Sequence, residues 1–206
     1  MHVVVPFDAR DPNSRLAPAL ETEEREAFAA AMLDDVCAAI RVAGQTPTVL
    51  ATAPVEEFGL DARVRVDDRP LSSAVNAVLA EQSPVAVVMA DLPLVTADTI
   101  ERLLACEGDV VLAPGLGGGT NALVARHPDF RVDYHGGSYQ THCQLAAACG
   151  TDPATLDSFR LAVDIDAPAD LSEVLLHGEG RAAAWLREAG FELDTSDGRA
   201  QAVRDK

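Results

Sequence analysis

Residues 84–91, Pro84-Val-Ala-Val-Val-Met-Ala-Asp91, are the stretch that decides the fold. The apolar run is typical of a strand covered on both faces in a parallel sheet, and it ends on a carboxylate. Other short apolar runs alternate along the chain with segments of helical periodicity. This order predicts an α/β fold with a mainly parallel central sheet and helices on both faces. We expect one domain over residues 1–206, with a flexible polar tail from about Asp194.

The individual elements are predicted from hydrophobic periodicity and from capping, glycine and proline residues. The carboxyl ends of parallel strands meet at one edge of a sheet, where α/β proteins bind their ligands. Strands are predicted over residues 2–7, 46–52, 64–66, 84–91, 109–114, 122–125 and 159–165. Helices are predicted over residues 22–43 and 96–106, from 72 or 73 onward, from 136 to about 149, and from 168 onward.

The composition excludes several classes of protein. The 206 residues include 33 acidic and 16 basic ones, for a formal net charge of −17, and Lys206 is the single lysine. Because no basic stripe is present to neutralise phosphates, a nucleic-acid partner is excluded. No apolar run approaches the roughly 18 residues of a membrane span, and the N-terminus begins as a strand. We therefore expect a cytoplasmic protein without a membrane partner.

The acidic charge has two interpretations. One is a GC-rich genome combined with a solvated acidic surface. The other is a halophilic protein that uses high net charge to stay soluble in salt. We favour the halophile. The four cysteines form no Cys-x-x-Cys motif, and no histidine stands at zinc-ligand spacing from them, so reduced thiols are expected.

Three aspartates carry the strongest indication of chemistry. Asp91 ends one apolar run, and Asp164 and Asp166 lie at the end of another, Leu161-Ala-Val-Asp-Ile-Asp166. The i, i+2 spacing puts the last two carboxylates on one face of the predicted strand. Adjacent carboxylates without a neighbouring cation call for a divalent metal ion. This arrangement indicates phosphoryl or nucleotidyl transfer.

Polar loops supply candidates for the binding of phosphates. The loop after the first strand holds Arg10, Ser14 and Arg15, and an arginine there suits bidentate binding of a triphosphate; the alternative is a solvated surface loop. The run Gly117-Gly-Gly-Thr-Asn121 brings main-chain amides and the side chains of Thr120 and Asn121 toward an anion; the alternative is a flexible hairpin turn.

A second candidate for anion binding is the start of the predicted fourth helix. Gly137 and Ser138 stand where main-chain amides and the helix dipole favour a phosphate, and the alternative is an ordinary helix cap. His142 follows one turn later and faces the same way. It would contact an acidic substrate or, as an alternative, pack in the interior.

Nine motifs together resemble one family, the 2-phospho-L-lactate guanylyltransferases of coenzyme F-420 biosynthesis. The resemblance covers residues 3 to about 175. The motifs are Val5-Pro-Phe7, Ser14-Arg-Leu-Ala-Pro18, Glu23-Glu-Arg25, Ala31-Met-Leu-Asp-Asp-Val36, Ala74-Val-Asn76, Met89-Ala-Asp-Leu-Pro93, Gly119-Thr-Asn-Ala122, Gly137-Ser138 with His142, and Asp164-Ile-Asp-Ala-Pro168.

The resemblance implies a Rossmann-like nucleotidyltransferase fold and a reaction between GTP and 2-phospho-L-lactate or phosphoenolpyruvate. It also implies one or two Mg²⁺ ions on the three aspartates and a homodimer. The loop around Arg15 would hold the triphosphate, Asn76 would lie near the guanosine, and Thr120 and Ser138 would hold the acid substrate. Alternatives are a nucleotidyltransferase for a sugar phosphate or a molybdopterin, and a non-catalytic nucleotide-binding protein.

The sequence departs from the family pattern at two positions. The loop that usually reads Lys-Thr-Arg-Leu is Asn13-Ser-Arg-Leu16 here, which removes a cation from the triphosphate region. The residue two positions before Gly137 is usually glycine and is His135 here. Arg10 or Arg15 would have to replace the missing cation, and His135 would either narrow the acid pocket or add a donor to it.

Overall fold

The computed structural model describes residues 1–55, 60–196 and 198–204. Within these residues a central sheet has seven strands in the order β3-β2-β1-β4-β6-β5-β7, and a separate hairpin pairs β8 with β9. The strands are β1 (His2–Phe7), β2 (Pro47–Ala51), β3 (Arg63–Val66), β4 (Val85–Val88), β5 (Val110–Pro114), β6 (Thr120–Ala125), β7 (Ala154–Thr155), β8 (Phe191–Asp194) and β9 (Gln201–Arg204).

The direction of β6 decides which residues lie at the carboxyl edge of the sheet. β1 runs parallel to β2 and β4, β3 runs parallel to β2, and β7 runs parallel to β5. β6 lies between β4 and β5 and is antiparallel to both. Its first residues therefore lie at the edge where the other strands end: Ala122 pairs with Val88, and the Met89 N–H donates to the Asn121 carbonyl over 2.9 Å.

Helices cover both faces of the sheet, as the sequence predicted. Alternating strand residues point to opposite faces, so that Val3 and Val5 pack with α1 and α3 while Val4 packs with α2 and α4. The helices are α1 (Thr22–Val42), α2 (Leu71–Glu81), α3 (Ala97–Ala105), α4 (Ser138–Ala148), α5 (Phe159–Ala162), α6 (Leu171–His177) and α7 (Arg181–Glu188), with 3-10 turns at Ser14–Leu16 and Pro168–Asp170.

The prediction of a strand over residues 159–165 is wrong. The chain forms α5 there, because the Leu161 and Ala162 N–H groups donate to the Ser158 carbonyl, and β7 occupies the sheet edge beside β5. Residues 163–165 continue outside the ladder. Their alternation reflects burial alone, since Val163 and Ile165 are buried in the cluster beneath α6 and α7.

The C-terminal segment contains regular structure where the sequence analysis expected a polar tail. β9 pairs antiparallel with β8, and Arg204 forms a 2.6 Å ion pair with Glu24 of α1 while its guanidinium lies 4.6 Å from the ring centre of Phe191. All four cysteines lie in the described ranges and are free thiols, as predicted. No helix in the described ranges is long and apolar enough to cross a membrane.

Candidate functional site

The three predicted aspartates meet at the carboxyl edge of the sheet. Asp91 follows β4, and Asp164 and Asp166 lie in the segment after α5, which we call the acid loop (residues 163–167). One carboxylate oxygen from each aspartate lies within 4.8 Å of the others. The main chain holds the two segments together, because the Ile165 N–H donates to the Asp91 carbonyl over 3.0 Å. The convergence is as predicted, although Asp164 and Asp166 do not follow a strand.

The electrostatics of this cluster favour a bound cation. Asp91 Oδ1 is buried and has no hydrogen-bond partner among the described residues. Burial, and then the negative charges of Asp164 and Asp166, raise the pKa of Asp91 to about 7. Burial also raises the pKa of Asp166. Hard oxygen ligands in this number suit Mg²⁺, which would neutralise their mutual repulsion. The donor set therefore fits the metal that the sequence predicted.

The acid loop is held by residues from outside it. Asp170 Oδ2 accepts hydrogen bonds from the Asp166 and Ala167 N–H groups, over 3.1 and 2.7 Å. Asn13, which stands where the family has lysine, adopts a left-handed conformation (φ 49°), and its Nδ2 donates to the Ile165 carbonyl over 3.1 Å. Asn13 thus acts as a structural tie. Asp170 was not among the predicted site residues, although an aspartate just after Pro168 is typical of a helix start.

A cleft of about 670 Å³ extends from Asp91 and Asp166 across the ends of β1, β2 and β3. The predicted triphosphate residues Arg10, Ser14 and Arg15 all line it. Arg15 is exposed and forms a 2.5 Å ion pair with Asp166, so it stands beside the three aspartates. The cleft is also lined by residues that were not among the predicted site residues: Asp8, Thr52, Asp67, Asp68, Arg69, Pro70, Leu71 and Ala74.

Thr120, Ser138 and His142 form a buried hydrogen-bonded group on the other side of the acids. Ser138 Oγ accepts from the Thr120 N–H over 2.9 Å, and His142 Nδ1 lies 2.8 Å from Thr120 Oγ1. His142 Nε2 accepts from the Asp133 N–H over 3.0 Å, so the neutral ring carries its proton on Nδ1 and donates to Thr120. Burial lowers the pKa of His142 to about 4 and keeps the ring neutral.

The predicted contact of His142 with an acid substrate is not available in this arrangement. The ring has no exposed surface and lies behind Thr120. Gly137 caps α4, and the Tyr139 N–H donates to the Gly118 carbonyl, so the glycine run and the start of α4, which were predicted as two separate phosphate sites, lie against each other. Thr120 and Ser138 are brought together, with His142 as their support.

Asn121 links this group to the acid loop. Its Nδ2 donates to the Leu161 carbonyl over 2.9 Å and to Asp164 Oδ1 over 3.0 Å. Its amide is thus used inside the protein and supports the Asp164 carboxylate. Gly115 makes room for it, because a Cβ at Gly115 would lie 2.5 Å from Asn121 Oδ1.

Asn76 lies apart from the cleft-lining residues. Its side-chain amide donates to the Val132 carbonyl over 2.9 Å and accepts from the Val132 N–H over 2.8 Å. The Asn76 side chain is therefore not free for the predicted contact with guanosine, because its amide nitrogen and its amide oxygen both bond to Val132 and tie α2 to the segment before α4. His135 is exposed, and its ring forms a 2.5 Å contact with Asp133.

Comparison with known proteins agrees with this geometry. The family model described as guanylyl transferase CofC like matches residues 1–205. A 2-phospho-L-lactate guanylyltransferase of Halomicrobium mukohataei is 59% identical over 205 residues, which are 99% of this chain and 100% of the relative. One of Natronomonas pharaonis is 56% identical over 204 residues, 99% of each chain. Both organisms are haloarchaea, which fits the halophilic composition.

The fold is shared with solved nucleotidyltransferase structures. A structure described as a putative nucleotide-diphospho-sugar transferase from Desulfovibrio desulfuricans matches with a TM-score of 0.70 at 14% identity, over 91% of this chain and 95% of that one. This likeness confirms the predicted nucleotidyltransferase fold. Together with the full-length family match, it leads to one conclusion: the chain belongs to the CofC-like guanylyl transferases.

Proposed function

We propose that this chain transfers GMP from GTP to 2-phospho-L-lactate, releasing diphosphate and forming lactyl-2-diphospho-5'-guanosine in coenzyme F-420 biosynthesis. The observation that carries the proposal is the meeting of Asp91, Asp164 and Asp166 at one end of a cleft large enough for a nucleotide. The names of the full-length relatives support the same reaction. A homodimer and a cytoplasmic location stay predictions.

The nucleophile needs no activating base. The attacking atom is a phosphate oxygen of the acid substrate, which is already ionised at neutral pH, and it displaces diphosphate from the α-phosphorus in line. Catalysis then depends on positioning and on neutralisation of charge. Asp91, Asp164 and Asp166 would hold one or two Mg²⁺ ions, which supply positive charge to the reacting phosphates when bound.

The arginines of the cleft complete this charge neutralisation. Arg15 stands 2.5 Å from Asp166, so a small rotation of its exposed side chain brings the guanidinium to a phosphate beside the metal ligands. Arg10 is also exposed and forms a looser 3.6 Å pair with Asp68. In a chain with a net charge of −17, these two residues take the place of the missing loop lysine.

The acid substrate would lie against the start of β6 and α4. The Thr120 hydroxyl accepts from His142, and the Ser138 hydroxyl accepts from the Thr120 N–H, so each retains its own proton as a donor. Both residues are only 3% exposed, and their two hydroxyl donors at the carboxyl edge of the sheet suit a phosphate or carboxylate oxygen.

The test is release of diphosphate from GTP with Mg²⁺ in concentrated KCl, with 2-phospho-L-lactate and phosphoenolpyruvate as separate acceptors. We expect turnover with phospholactate, and a parallel assay with ATP, CTP and UTP measures the preference for GTP. A control reaction with a sugar phosphate as the acceptor tests the alternative of a sugar-phosphate nucleotidyltransferase. No turnover with either phospho-acid, alongside measurable GTP binding, would make the chain a non-catalytic nucleotide-binding protein.

A further inference from the structure

The end of the cleft away from the three aspartates contains a fixed arginine. Arg69 Nε and Nη2 donate to the two carboxylate oxygens of Asp67, over 2.8 and 2.5 Å, and the Arg69 N–H donates to the same carboxylate over 3.2 Å. The Asp67 side chain is only 8% exposed, whereas that of Arg69 is 48% exposed and lines the cleft. The aspartate is thus the buried support, and the guanidinium is the accessible group.

The sheet fixes the distance between this arginine and the three aspartates. The register of the parallel strands places Asp8, Thr52 and Asp67 in one row, as the first residues after β1, β2 and β3. The Thr52 and Asp67 N–H groups continue the ladder, donating to the neighbouring strands over 3.1 and 2.9 Å. Asp91 follows β4, three strand intervals from β3, which is about 14 Å at the usual strand spacing. With the α-phosphate at Asp91, a nucleoside directed along this row brings its base to Arg69.

The free edge of Arg69 has a defined hydrogen-bonding pattern. A guanidinium has five N–H groups in a planar fork, and Asp67 takes the edge formed by Nε and Nη2. The opposite edge, formed by Nη1 and the second hydrogen of Nη2, has no acceptor among the residues of the described ranges. It presents two parallel donors to the cleft. The hydrogen bonds to Arg69 lower the pKa of the Asp67 carboxyl to about 2. Asp67 is therefore ionised, and the ion pair persists, across the physiological pH range.

We propose that Arg69 is the residue that selects guanine, with its free edge donating to O6 and N7 of the base while Asp67 holds the guanidinium in place. Guanine presents these two acceptors side by side, and arginine binds them bidentately. Adenine presents an amino donor beside N7 and would place a donor against a donor. Pyrimidines have no N7. This inference rests on the proposed GTP-dependent function and names the residue behind its nucleotide preference.

The experiment compares the binding of GTP, 7-deaza-GTP and ATP by titration calorimetry, without the acid acceptor. 7-Deaza-GTP differs from GTP only in the N7 acceptor. We expect the wild-type chain to bind it about 10-fold more weakly than GTP, as for the loss of one hydrogen bond to a charged donor. The Arg69→Met variant should bind GTP about 10- to 100-fold more weakly than the wild type, and it should bind GTP and 7-deaza-GTP equally well.

Three further variants make the test specific. Arg69→Lys keeps the charge and removes the fork, so it should also lose the discrimination between GTP and 7-deaza-GTP. Asp67→Asn should reduce that discrimination by releasing the guanidinium. Arg63→Ala removes an exposed cation from β3 and should leave all three affinities unchanged. Thermal unfolding of each variant checks that the fold is retained.

Two results would overturn the inference. One is a wild-type chain that binds GTP and 7-deaza-GTP equally. The other is an Arg69→Met or Arg69→Lys variant that weakens all three nucleotides by the same factor, which would place Arg69 on a phosphate or the ribose. Wild-type turnover with GTP and phospholactate is measured in parallel. If the chain turns over but Arg69 does not discriminate GTP from 7-deaza-GTP, only the guanine contact is wrong. If Arg69 discriminates the two nucleotides but the chain does not turn over, only the proposed reaction is wrong.

Discussion

Asn121 Nδ2 donates to Asp164 Oδ1 over 3.0 Å, and this bond makes the position of the Asp164 carboxylate depend on the second residue of β6. The same amide group donates to the Leu161 carbonyl, so Asn121 fixes both the carboxylate and the chain that leads to it. Only a glycine at position 115 leaves space for this side chain, because an added Cβ would meet its three terminal atoms at 2.5 to 2.8 Å. The acid cluster therefore depends on a residue that has no side chain.

Gly115→Ala tests this dependence. We expect the variant to lose about 1–3 kcal/mol of unfolding free energy by overpacking and to lose most of its turnover, because Asn121 can no longer hold Asp164. Denaturant unfolding and the diphosphate assay measure the two effects. Gly117→Ala is the matched control, since a Cβ there meets nothing within 4 Å. Normal turnover in Gly115→Ala would show that Asp164 holds its place without Asn121.

Substitution of Asp91 or Asp166, which we propose as metal ligands, should abolish the reaction while the fold persists. We expect Asp91→Asn and Asp166→Asn each to reduce kcat at least about 100-fold, because a lost ligand removes several kcal/mol of charge stabilisation. Circular dichroism checks the fold, and Asp152→Asn, at an exposed position, is the control for charge. Near-normal rates in both variants would remove these residues from the metal site.

The raised pKa of Asp91 predicts how stability depends on pH when no metal is present. The pKa is about 7 in the folded chain against 3.8 for a free carboxyl, so the folded state retains a proton that the unfolded chain has released. The free energy of unfolding should therefore fall as the pH rises from about 4 to about 7. Asp91→Asn removes this fall and should be more stable at pH 8 by on the order of 4 kcal/mol.

The measurement for Asp91 is unfolding in EDTA and concentrated KCl at pH 5 and pH 8. Added Mg²⁺ should stabilise the wild-type chain at pH 8 and leave Asp91→Asn much less affected. A difference between wild type and variant that stays constant across this pH range would show that Asp91 titrates normally in the metal-free chain.

His142 predicts the opposite dependence. Its pKa is about 4 in the folded chain against 6.5 for a free imidazole, so the unfolded chain binds the extra proton first. The stability that the neutral ring contributes should be complete above about pH 6.5 and should be lost as the pH falls toward 4. The loss should reach on the order of 3 kcal/mol. His142→Gln should lack this acid-dependent loss in a comparison of unfolding at pH 4.5 and pH 7.5.

The activity of the His142 variant separates support from direct contact. If the ring acts by orienting Thr120, His142→Gln should raise KM for the phospho-acid and leave KM for GTP unchanged. Tyr139→Phe is a control on the same helix, since its hydroxyl contacts Thr155, away from the acids. An unchanged KM for the phospho-acid would limit His142 to a role in packing.

Arg15 should affect nucleotide binding and leave stability almost unchanged. Its pair with Asp166 joins two exposed side chains, and such pairs contribute less than about 1 kcal/mol. Arg15→Ala should nevertheless raise KM for GTP about 10-fold, the effect of one lost charged hydrogen bond to the triphosphate. Arg102→Ala, on the exposed surface of α3, is the control. An unchanged KM in Arg15→Ala would assign the triphosphate to other cations.

The meeting of the acids could be predicted because it depends on a general property of parallel sheets. Asp91 ends an apolar run, and ligands collect where such runs end. The path of the chain before Asp164 could not be predicted in the same way. The alternation of Val163 and Ile165 with their neighbours is the same whether the segment is a strand of the sheet or a buried loop. In the structure β7 occupies the sheet edge, so the segment lies outside the sheet.

The roles of Asp67, Arg69 and Asn76 show a second limit. An arginine two residues from an aspartate is common on exposed loops, and nothing in its sequence context separates Arg69 from Arg10. The strand register and the burial of Asp67 make the difference, and both arise from contacts between distant segments. Asn76 matched a family motif, but the structure shows that its amide bonds Val132, a contact that spans 56 residues of sequence.

The reversed direction of β6 has an evolutionary consequence. It divides the carboxyl edge into two parts, since Arg69 and the loop after β1 lie on one side of the acids, and Thr120, Ser138 and His142 on the other. In the proposed reaction the two parts would have the three aspartates in common, so substitutions that change the preferred acceptor acid would not need to disturb the nucleotide. One antiparallel strand would thereby allow a lineage to exchange one proposed substrate while it keeps the other.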